Sequence, residues 1–150
     1  MGIYTRAVLF AATLIGAPAT WAALPPAANL AVDGVSLGES GGTVVVLFTI
    51  DDCRYCETVK RRYLEPLTRD PRWQGRVLVR EINASHTTPL KDFDGAATNH
   101  ARFAARQGVQ FYPTVRFYGA DGSRRAPDIV GQVIDDFYWA YLREAVAPGQ

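Results

Sequence analysis

The segment from Thr43 to Glu57 constrains the fold most, because an unbroken apolar run leads there directly into a pair of cysteines. Residues 43–50 read TVVVLFTI, a β-branched and apolar run that predicts a strand buried on both faces, as in a parallel sheet. The next residues, DDCRYCE, hold both cysteines of the chain, and Asp51 and Asp52 are residue types that cap helix N-termini. The segment therefore predicts a strand, a turn, the cysteine pair and a helix, in that order.

Three helices are predicted from apolar spacing and from the residues that end helices. The first begins at the cysteine pair, and Pro66 is expected to kink or end it near Leu64. The second covers residues 96–107 and stops at Gly108, a residue type common just beyond a helix C-terminus. The third lies within residues 134–146. The apolar spacing consists of Cys56, Val59, Tyr63 and Leu67 in the first helix, and of Phe137, Tyr141 and Leu142 in the third.

Further strands are predicted downstream of the first helix. Residues 76–82 read as a strand, and residues 114–118 and 129–130 are expected to form two short strands of a hairpin. Residues 83–95 lack periodicity and are predicted to be a loop. This order of elements predicts an α/β fold with a central mixed β-sheet flanked by helices.

The N-terminal residues 1–22 are predicted to be a secretory signal peptide. They contain one cation, Arg6, then an apolar run too short to span a bilayer, and then small residues. Cleavage after Ala22 fits this pattern, and Ala19 is a second candidate. Export would place the protein in the periplasm, an oxidising compartment in which a pair of cysteines is expected to form a disulfide.

The rest of the chain is predicted to be a lead-in followed by one domain. Residues 23–42 are rich in Pro, Gly and Ala and read as irregular, with one short strand around Leu30 to Val32. Residues 43–150 suffice for a single domain with its own core.

The charge balance of the chain bears on its classes of partner. Loss of residues 1–22 removes Arg6 and no acid, which leaves fifteen cations and fifteen acids. The only run of three cations, residues 60–62, is predicted to lie on a solvated helix face. This balance does not favour nucleic acid or an acidic membrane surface as a partner.

Two cysteines three positions apart can serve as a redox couple, as part of a metal site or as a structural clip. A ring closed over two residues stabilises a fold little, which argues against the clip. A zinc site needs two more ligands, and His86 and His100, fourteen residues apart, do not have zinc-finger spacing and are interpreted as surface or loop residues. Binding of Cu(I) by the two thiolates remains an alternative.

If the pair is a redox couple, the two cysteines have different roles. Cys53, at the start of the predicted helix, is expected to be the exposed nucleophile, and Cys56 to resolve the mixed disulfide that it forms. Arg54 would lower the pKa of the Cys53 thiol, whereas Asp51 and Asp52 would raise it. Each effect is worth about 1 kcal/mol at an exposed site, so the sequence leaves the direction of the net shift open.

Together, the cysteine pair and a segment downstream of it resemble the thioredoxin superfamily. Residues 108–114 read GVQFYPT and look like the segment of that family in which a cis-proline is followed by threonine, just before an antiparallel strand. The resemblance implies that Pro113 is that cis-proline, that it packs against the cysteine pair, and that Tyr112 precedes it where substrate backbone pairs. The motif CRYC, the stretch KDFDG at residues 91–95 and Gly131 resemble exported thioredoxin-like proteins of the SoxW kind.

Three positions depart from thioredoxins proper. Leu47 stands where they carry a buried Asp that assists proton transfer, Asp52 stands where they carry Trp, and Arg54-Tyr55 replaces their Gly-Pro. A tyrosine in that second place also occurs in glutaredoxins and exported disulfide isomerases, so it does not fix the direction of electron flow. Proton transfer at Cys56 would then use water, Glu57 or the substrate.

The resemblance implies a periplasmic thiol-disulfide oxidoreductase of thioredoxin fold, acting as a reductase. Its implied partners are exported proteins with a disulfide or dithiol, and a membrane thiol-electron transporter. It implies no cofactor beyond the Cys53–Cys56 disulfide, no metal, and a monomer. Arg54, Tyr55 and the Tyr112-Pro113 pair would shape the substrate site, and Asp51, Asp52 and Glu57 would modulate thiol acidity. A disulfide isomerase or oxidase is the alternative.

Overall fold

The computed structural model describes residues 23–131 and 135–147, which form a four-stranded sheet between helices and a small two-stranded sheet. The strands are β1 (Thr43–Thr49), β2 (Val77–Asn83), β3 (Pro89–Lys91), β4 (Ala97–Asn99), β5 (Thr114–Tyr118) and β6 (Ile129–Val130). The helices are α1 (Leu30–Leu37), α2 (Arg54–Val59), α3 (Glu65–Arg69), α4 (His100–Arg106) and α5 (Asp135–Val146). The signal peptide predicted for residues 1–22 lies outside the described residues. Within the described ranges, no helix has the length and apolar character needed to cross a bilayer.

The main sheet is mixed, as predicted. Its order is β2-β1-β5-β6, with β1 parallel to β2 and antiparallel to β5, and with β6 antiparallel to β5. All seven residues of β1 are buried, because alternate side chains enter opposite faces of the sheet. Val45 and Leu47 belong to one core cluster with residues of α2, α3 and α5, and Val44 and Phe48 belong to a second cluster with residues of α1 and α4.

The helix after the cysteines does not end near Leu64. It passes from α2 through a π-helical turn at Lys60–Leu64 into α3, which ends at Arg69. Pro66 lies just beyond this π-helical turn, and the helix continues past it to Arg69. The predicted apolar face is confirmed, since Cys56, Val59, Tyr63 and Leu67 are all buried.

Helix α1 replaces the irregular lead-in and the short strand that were predicted around Leu30 to Val32. Asn29 caps it, with its side-chain oxygen accepting a hydrogen bond from the Val32 N–H at 3.2 Å. The buried positions have helical spacing, but two of them carry residue types that do not read as apolar. These positions are Leu30, Asp33, Gly34 and Leu37.

Asp33 and Gly34 face inward because each of them contacts a residue that is distant in the chain. The Asp33 carboxylate forms a bidentate ion pair with Arg80 of β2, at 2.6 and 2.9 Å. A Cβ at Gly34 would lie 2.1 Å from the carbonyl oxygen of Ala120, so only glycine lets α1 approach that backbone. The sequence pattern of α1 is hidden because these partners are distant in the chain.

Two more segments differ from the prediction. Helix α4 begins at His100, capped by Asn99, and not at residue 96 as predicted, because Ala97–Asn99 forms strand β4. Its antiparallel partner β3 lies inside the segment predicted to be a loop. On α5 the buried face holds Tyr138, Leu142 and Val146, whereas Phe137 and Tyr141 are exposed. The ring of Tyr138 stacks on that of Tyr63 at a centroid distance of 4.1 Å, and this contact selects the buried face.

Substitution of Gly34 by alanine is expected to lower the free energy of unfolding by roughly 1–3 kcal/mol, because the new methyl group overlaps the Ala120 carbonyl. Gly38→Ala is the matched control, since Gly38 has helical φ and ψ and a Cβ there would meet nothing within 4 Å. It should be neutral or stabilise by about 0.4–1 kcal/mol. Urea unfolding followed by circular dichroism measures both; equal midpoints for the two variants would contradict the packing of α1.

Two buried tyrosines offer a second matched pair. The Tyr118 hydroxyl donates to Gln107 Oε1 at 2.9 Å, whereas the buried Tyr138 hydroxyl has no hydrogen-bond partner in the described part of the chain. Tyr118→Phe should destabilise by about 0.5–1.5 kcal/mol, and Tyr138→Phe should be neutral or stabilising. The same urea titration ranks them, and a greater loss in Tyr138→Phe than in Tyr118→Phe would be the contrary result.

Candidate active site

The two cysteines closely follow the C-terminal end of the central strand β1. Cys53 is the N-cap of α2, and its Sγ accepts a hydrogen bond from the Cys56 N–H at 3.1 Å. The two side chains are joined in a disulfide, with the Cα atoms 5.2 Å apart. Cys53 is half-buried, whereas Cys56 is only 2% exposed. Incoming molecules can therefore reach the sulfur of Cys53 more readily than that of Cys56.

The two acids before Cys53 differ in backbone conformation and in contacts. Asp52 has a φ of 55°, a left-handed conformation that Asp tolerates better than most residues. The Asp51 carboxylate accepts a hydrogen bond from Asn83 Nδ2 at 2.8 Å and contacts His86 Nε2 at 3.1 Å. These partners hold Asp51 against the loop that follows β2.

The cation between the cysteines also has a partner. The Arg54 guanidinium lies over the ring of Tyr55, 5.7 Å from its centroid, and both side chains are exposed. Cation–π contacts at exposed sites are worth about 0.5–1 kcal/mol. This contact favours a position of the Arg54 charge over Tyr55.

Beneath the cysteines lies a charged cluster formed by Lys60, Glu57 and Glu81. Lys60 Nζ is 2.8 Å from Glu57 Oε1 and 2.9 Å from Glu81 Oε1. Burial by itself lowers the pKa of the Lys60 ammonium, but the hydrogen bonds to Glu57 and Glu81 outweigh it and raise that pKa above its ordinary value. The prediction of a solvated face is wrong for Lys60, whose side chain is 12% exposed.

Glu81 is the more buried of the two carboxylates. Its side chain is 18% exposed, against 48% for Glu57. Its Oε1 also accepts a hydrogen bond from Thr49 Oγ1 at 3.2 Å. Successive side chains of a strand point to opposite faces, so the adjacent residues Arg80 and Glu81 of β2 lie on opposite faces of the sheet. No local sequence pattern indicates that Glu81 belongs to the site.

A cavity of about 540 Å³ connects the cysteines with this cluster. Six of the residues predicted for the site line it, namely Asp51, Asp52, Cys53, Arg54, Cys56 and Glu57. The others that line it were not predicted, and they are Thr49, Ile50, Lys60, Glu81 and Asn83. Tyr55, Tyr112 and Pro113 are outside this lining.

The Tyr112-Pro113 segment reaches the same end of β1 through strand pairing. Thr114 pairs with Phe48 in the antiparallel register of β1 and β5. Pro113, the residue before Thr114, therefore lies beside the end of β1, where the cysteine turn begins. The Tyr112–Pro113 peptide bond is cis, as the resemblance implied, and the Pro113 carbonyl accepts a hydrogen bond from the Gly131 N–H at 2.8 Å. Pro113 is buried and Tyr112 is half-buried.

The histidines have structural contacts. His100 is buried rather than at the surface, because its Nδ1 accepts from the Asn83 N–H at 3.1 Å and its Nε2 lies 2.8 Å from the carbonyl oxygen of Ala27. His86 is exposed, as predicted. Over residues 23–131 and 135–147, no three His, Cys, Asp or Glu side chains are grouped as a metal site.

Comparisons with solved structures agree on the architecture. A thioredoxin-fold protein from Helicobacter pylori matches with 17% identity and a TM-score of 0.56, over 69% of this chain and 68% of that one. Thioredoxin O2 from Arabidopsis thaliana in its oxidised state matches with 15% identity and a TM-score of 0.53, over 81% and 92%. A mutant thioredoxin from Halobacterium salinarum matches with 19% identity and a TM-score of 0.54, over 84% and 94%. At these identities the likeness shows the fold.

Sequence comparison gives the family. No curated protein matches the chain. The family described as "Thioredoxin-like domain" matches residues 31–145, which is most of the chain and includes both cysteines and Pro113. The protein therefore belongs to the family of thioredoxin-like domains.

Proposed function

We propose that this protein is a periplasmic thiol-disulfide oxidoreductase that reduces disulfides in exported proteins. The observation that carries the proposal is the half-buried Cys53 at the start of a helix, bonded to the buried Cys56 within a thioredoxin-like fold. A pair of this kind can exchange electrons with a substrate and needs no cofactor beyond its own disulfide.

The reaction divides into two displacements. In the reduced protein the Cys53 thiolate attacks one sulfur of the substrate disulfide, a mixed disulfide forms, and the other substrate sulfur leaves as a thiolate that takes a proton from solvent. Cys56 then loses its proton and attacks the Cys53 sulfur, which releases the second substrate thiolate. Two electrons pass to the substrate, and the Cys53–Cys56 disulfide is formed.

The local geometry supports these roles. The Cys56 N–H donates to Cys53 Sγ at 3.1 Å, and backbone donors at the start of a helix stabilise a thiolate. One of the two acids before Cys53, Asp51, is held by Asn83 and His86. Cys56, being buried, is reached most easily by the sulfur to which it is bonded, as a resolving cysteine requires.

Substrate contacts are proposed for the exposed surface around the disulfide. Ile50, Tyr55 and Phe111 are exposed apolar side chains, at 39%, 55% and 67%. They flank the cysteine turn in sequence or precede the Tyr112-Pro113 segment. Arg54 and Tyr55, with the backbone at Tyr112 and Pro113, would hold an extended segment of a partner protein beside Cys53, as the family resemblance implies.

The location and the direction of electron flow are supported by sequence alone. The signal-peptide pattern of residues 1–22 favours export, and the resemblance to exported proteins of the SoxW kind favours a monomeric reductase that a membrane thiol-electron transporter recharges. A disulfide isomerase or oxidase would use the same two cysteines with a different reduction potential.

Substitution of the resolving cysteine should trap a substrate. Cys56→Ser is expected to accumulate a mixed disulfide between Cys53 and a periplasmic protein, because no second thiol remains to displace it. Cys53→Ser is the matched control and should trap nothing. Non-reducing electrophoresis of a periplasmic extract, followed by identification of the captured protein, measures the outcome; equal capture by both variants would refute the assigned roles.

The reduction potential tests the direction. A reductase is expected to equilibrate with thiol buffers near roughly −270 mV, the thioredoxin end of the range, rather than at roughly −120 to −180 mV, as oxidases and isomerases do. Alkylation of free thiols after equilibration in buffers of defined glutathione or dithiothreitol ratio gives the value. A potential at the oxidising end would replace the reductase with the alternative.

A further inference from the structure

Resolution of the mixed disulfide needs a proton acceptor for Cys56. The thiol of an ordinary cysteine has a pKa of about 8.5, so at neutral pH Cys56 must lose its proton before it can attack. Cys56 is 2% exposed, and the cavity that it shares with the charged cluster is a route by which the proton can leave. An acceptor is therefore expected among the residues that line this cavity.

Four carboxylates line the cavity, and they differ in burial and partners. They are Asp51, Asp52, Glu57 and Glu81. The Asp51 side chain is 54% exposed and contacts His86, Asp52 is exposed, and the Glu57 side chain is 48% exposed. Only the Glu81 side chain is largely buried, and it comes from the strand that lies beside β1. Among these four, Glu81 is the one most withdrawn from solvent.

We propose that Glu81 accepts the proton of the Cys56 thiol across this cavity, and that Lys60 and Thr49 are positioning residues that hold its carboxylate there. Both positioning contacts are made to Oε1, at 2.9 Å from Lys60 Nζ and 3.2 Å from Thr49 Oγ1. The proton is assigned to the other oxygen, Oε2. This inference rests on the proposed function, because it concerns the second displacement of that reaction.

The step balances in protons and electrons. The Cys56 S–H bond breaks, its proton passes to the Glu81 carboxylate, and the Cys56 thiolate forms a bond to Cys53 Sγ. The bond between Cys53 and the substrate sulfur breaks, and its electron pair leaves on the substrate thiolate. That thiolate takes up one proton as Glu81 returns one to solvent, so Glu81 ends as the carboxylate from which it began.

Lys60 makes the cluster suited to this step. Because its ammonium stays protonated well above neutral pH, it can offset charge both on Glu81 and on a Cys56 thiolate in the same cavity. The other charged groups that line the cavity are Asp51, Asp52 and Arg54 from the cysteine turn and Glu57 from α2. The charges of these groups also contribute to the pH dependence of the second displacement.

The test separates the two displacements with an aromatic disulfide, 5,5′-dithiobis(2-nitrobenzoate). Reduced full-length protein releases a first thionitrobenzoate when Cys53 attacks, and a second when Cys56 resolves the adduct; both are followed by absorbance in a stopped-flow instrument. The leaving thiolate needs no proton, so the second phase reports deprotonation of Cys56. In Glu81→Gln the second phase should slow by roughly 10–100-fold at pH 7, because a positioned base is worth about that much or more. The first phase should change less than about 2-fold.

Matched variants separate a carboxylate effect from a charge effect. Glu57→Gln removes the other carboxylate partner of Lys60, at nearly the same distance, and should slow the second phase much less than Glu81→Gln does, because the Glu57 side chain is 48% exposed. Thr49→Val removes only a positioning hydroxyl and should slow the second phase by roughly 2–10-fold, the value of one hydrogen bond. The defect of Glu81→Gln should shrink as the pH rises toward 9, where the thiol ionises without a base.

Two outcomes would overturn the inference. Equal slowing in Glu57→Gln and Glu81→Gln would assign the effect to the charge on Lys60. A normal second phase in both Glu81→Gln and Thr49→Val would remove Glu81 from the step, and if Glu81→Gln does not fold, Thr49→Val decides. Loss of the first phase in Cys53→Ser, with capture of partner proteins by Cys56→Ser, would still support the proposed function, so the two failures are distinguishable.

Discussion

The pairing of β1 with a strand on each side is the interaction on which the rest of the structure depends. Its seven residues are all buried, so its backbone groups must be bonded within the sheet, and the parallel pairing with β2 and the antiparallel pairing with β5 provide those bonds. The two registers bring three segments to one edge of the sheet. These segments are the cysteine turn after Thr49, the end of β2 at Asn83 and the Tyr112-Pro113 segment before β5.

This arrangement changes how charge acts on the disulfide. The sequence suggests a direct contest between Arg54 and the acids Asp51 and Asp52 over the thiolate of Cys53. In the folded chain Arg54 lies over Tyr55, and Asp51 is bonded to Asn83 and His86, so two of these three charges have partners of their own. Charge–charge effects between exposed groups are small when each is solvated or paired. The hydrogen bond from the Cys56 N–H and the cluster around Lys60 are then the more persistent influences on the two sulfurs.

What could be predicted from the sequence is what is encoded in contiguous residues. The buried strand, the cysteine turn and the apolar face of the helix after it each follow from a short local pattern, and the structure contains them. Helix α1 was missed because Asp33 and Gly34, which face the core, take that position through Arg80 and Ala120. The sequence pattern predicts the wrong face of α5, because aromatic residues occupy both faces of that helix and only the stack on Tyr63 selects Tyr138.

The charged cluster could not be predicted for the same reason, and its composition bears on the chemistry. Lys60 reads as part of a solvated cationic run, and only the strand register brings Glu81 against it. A largely buried ion pair is a weak source of stability, because desolvation offsets most of its attraction. Lys60 and Glu81 line the same cavity as Cys56, whereas Leu47 of β1 lies in the core. The charged groups near the buried sulfur therefore come from the helix that follows the cysteines and from β2. Because the cluster adds little to stability, the proposed transfer of a proton from Cys56 to Glu81 gives its composition a role that folding does not.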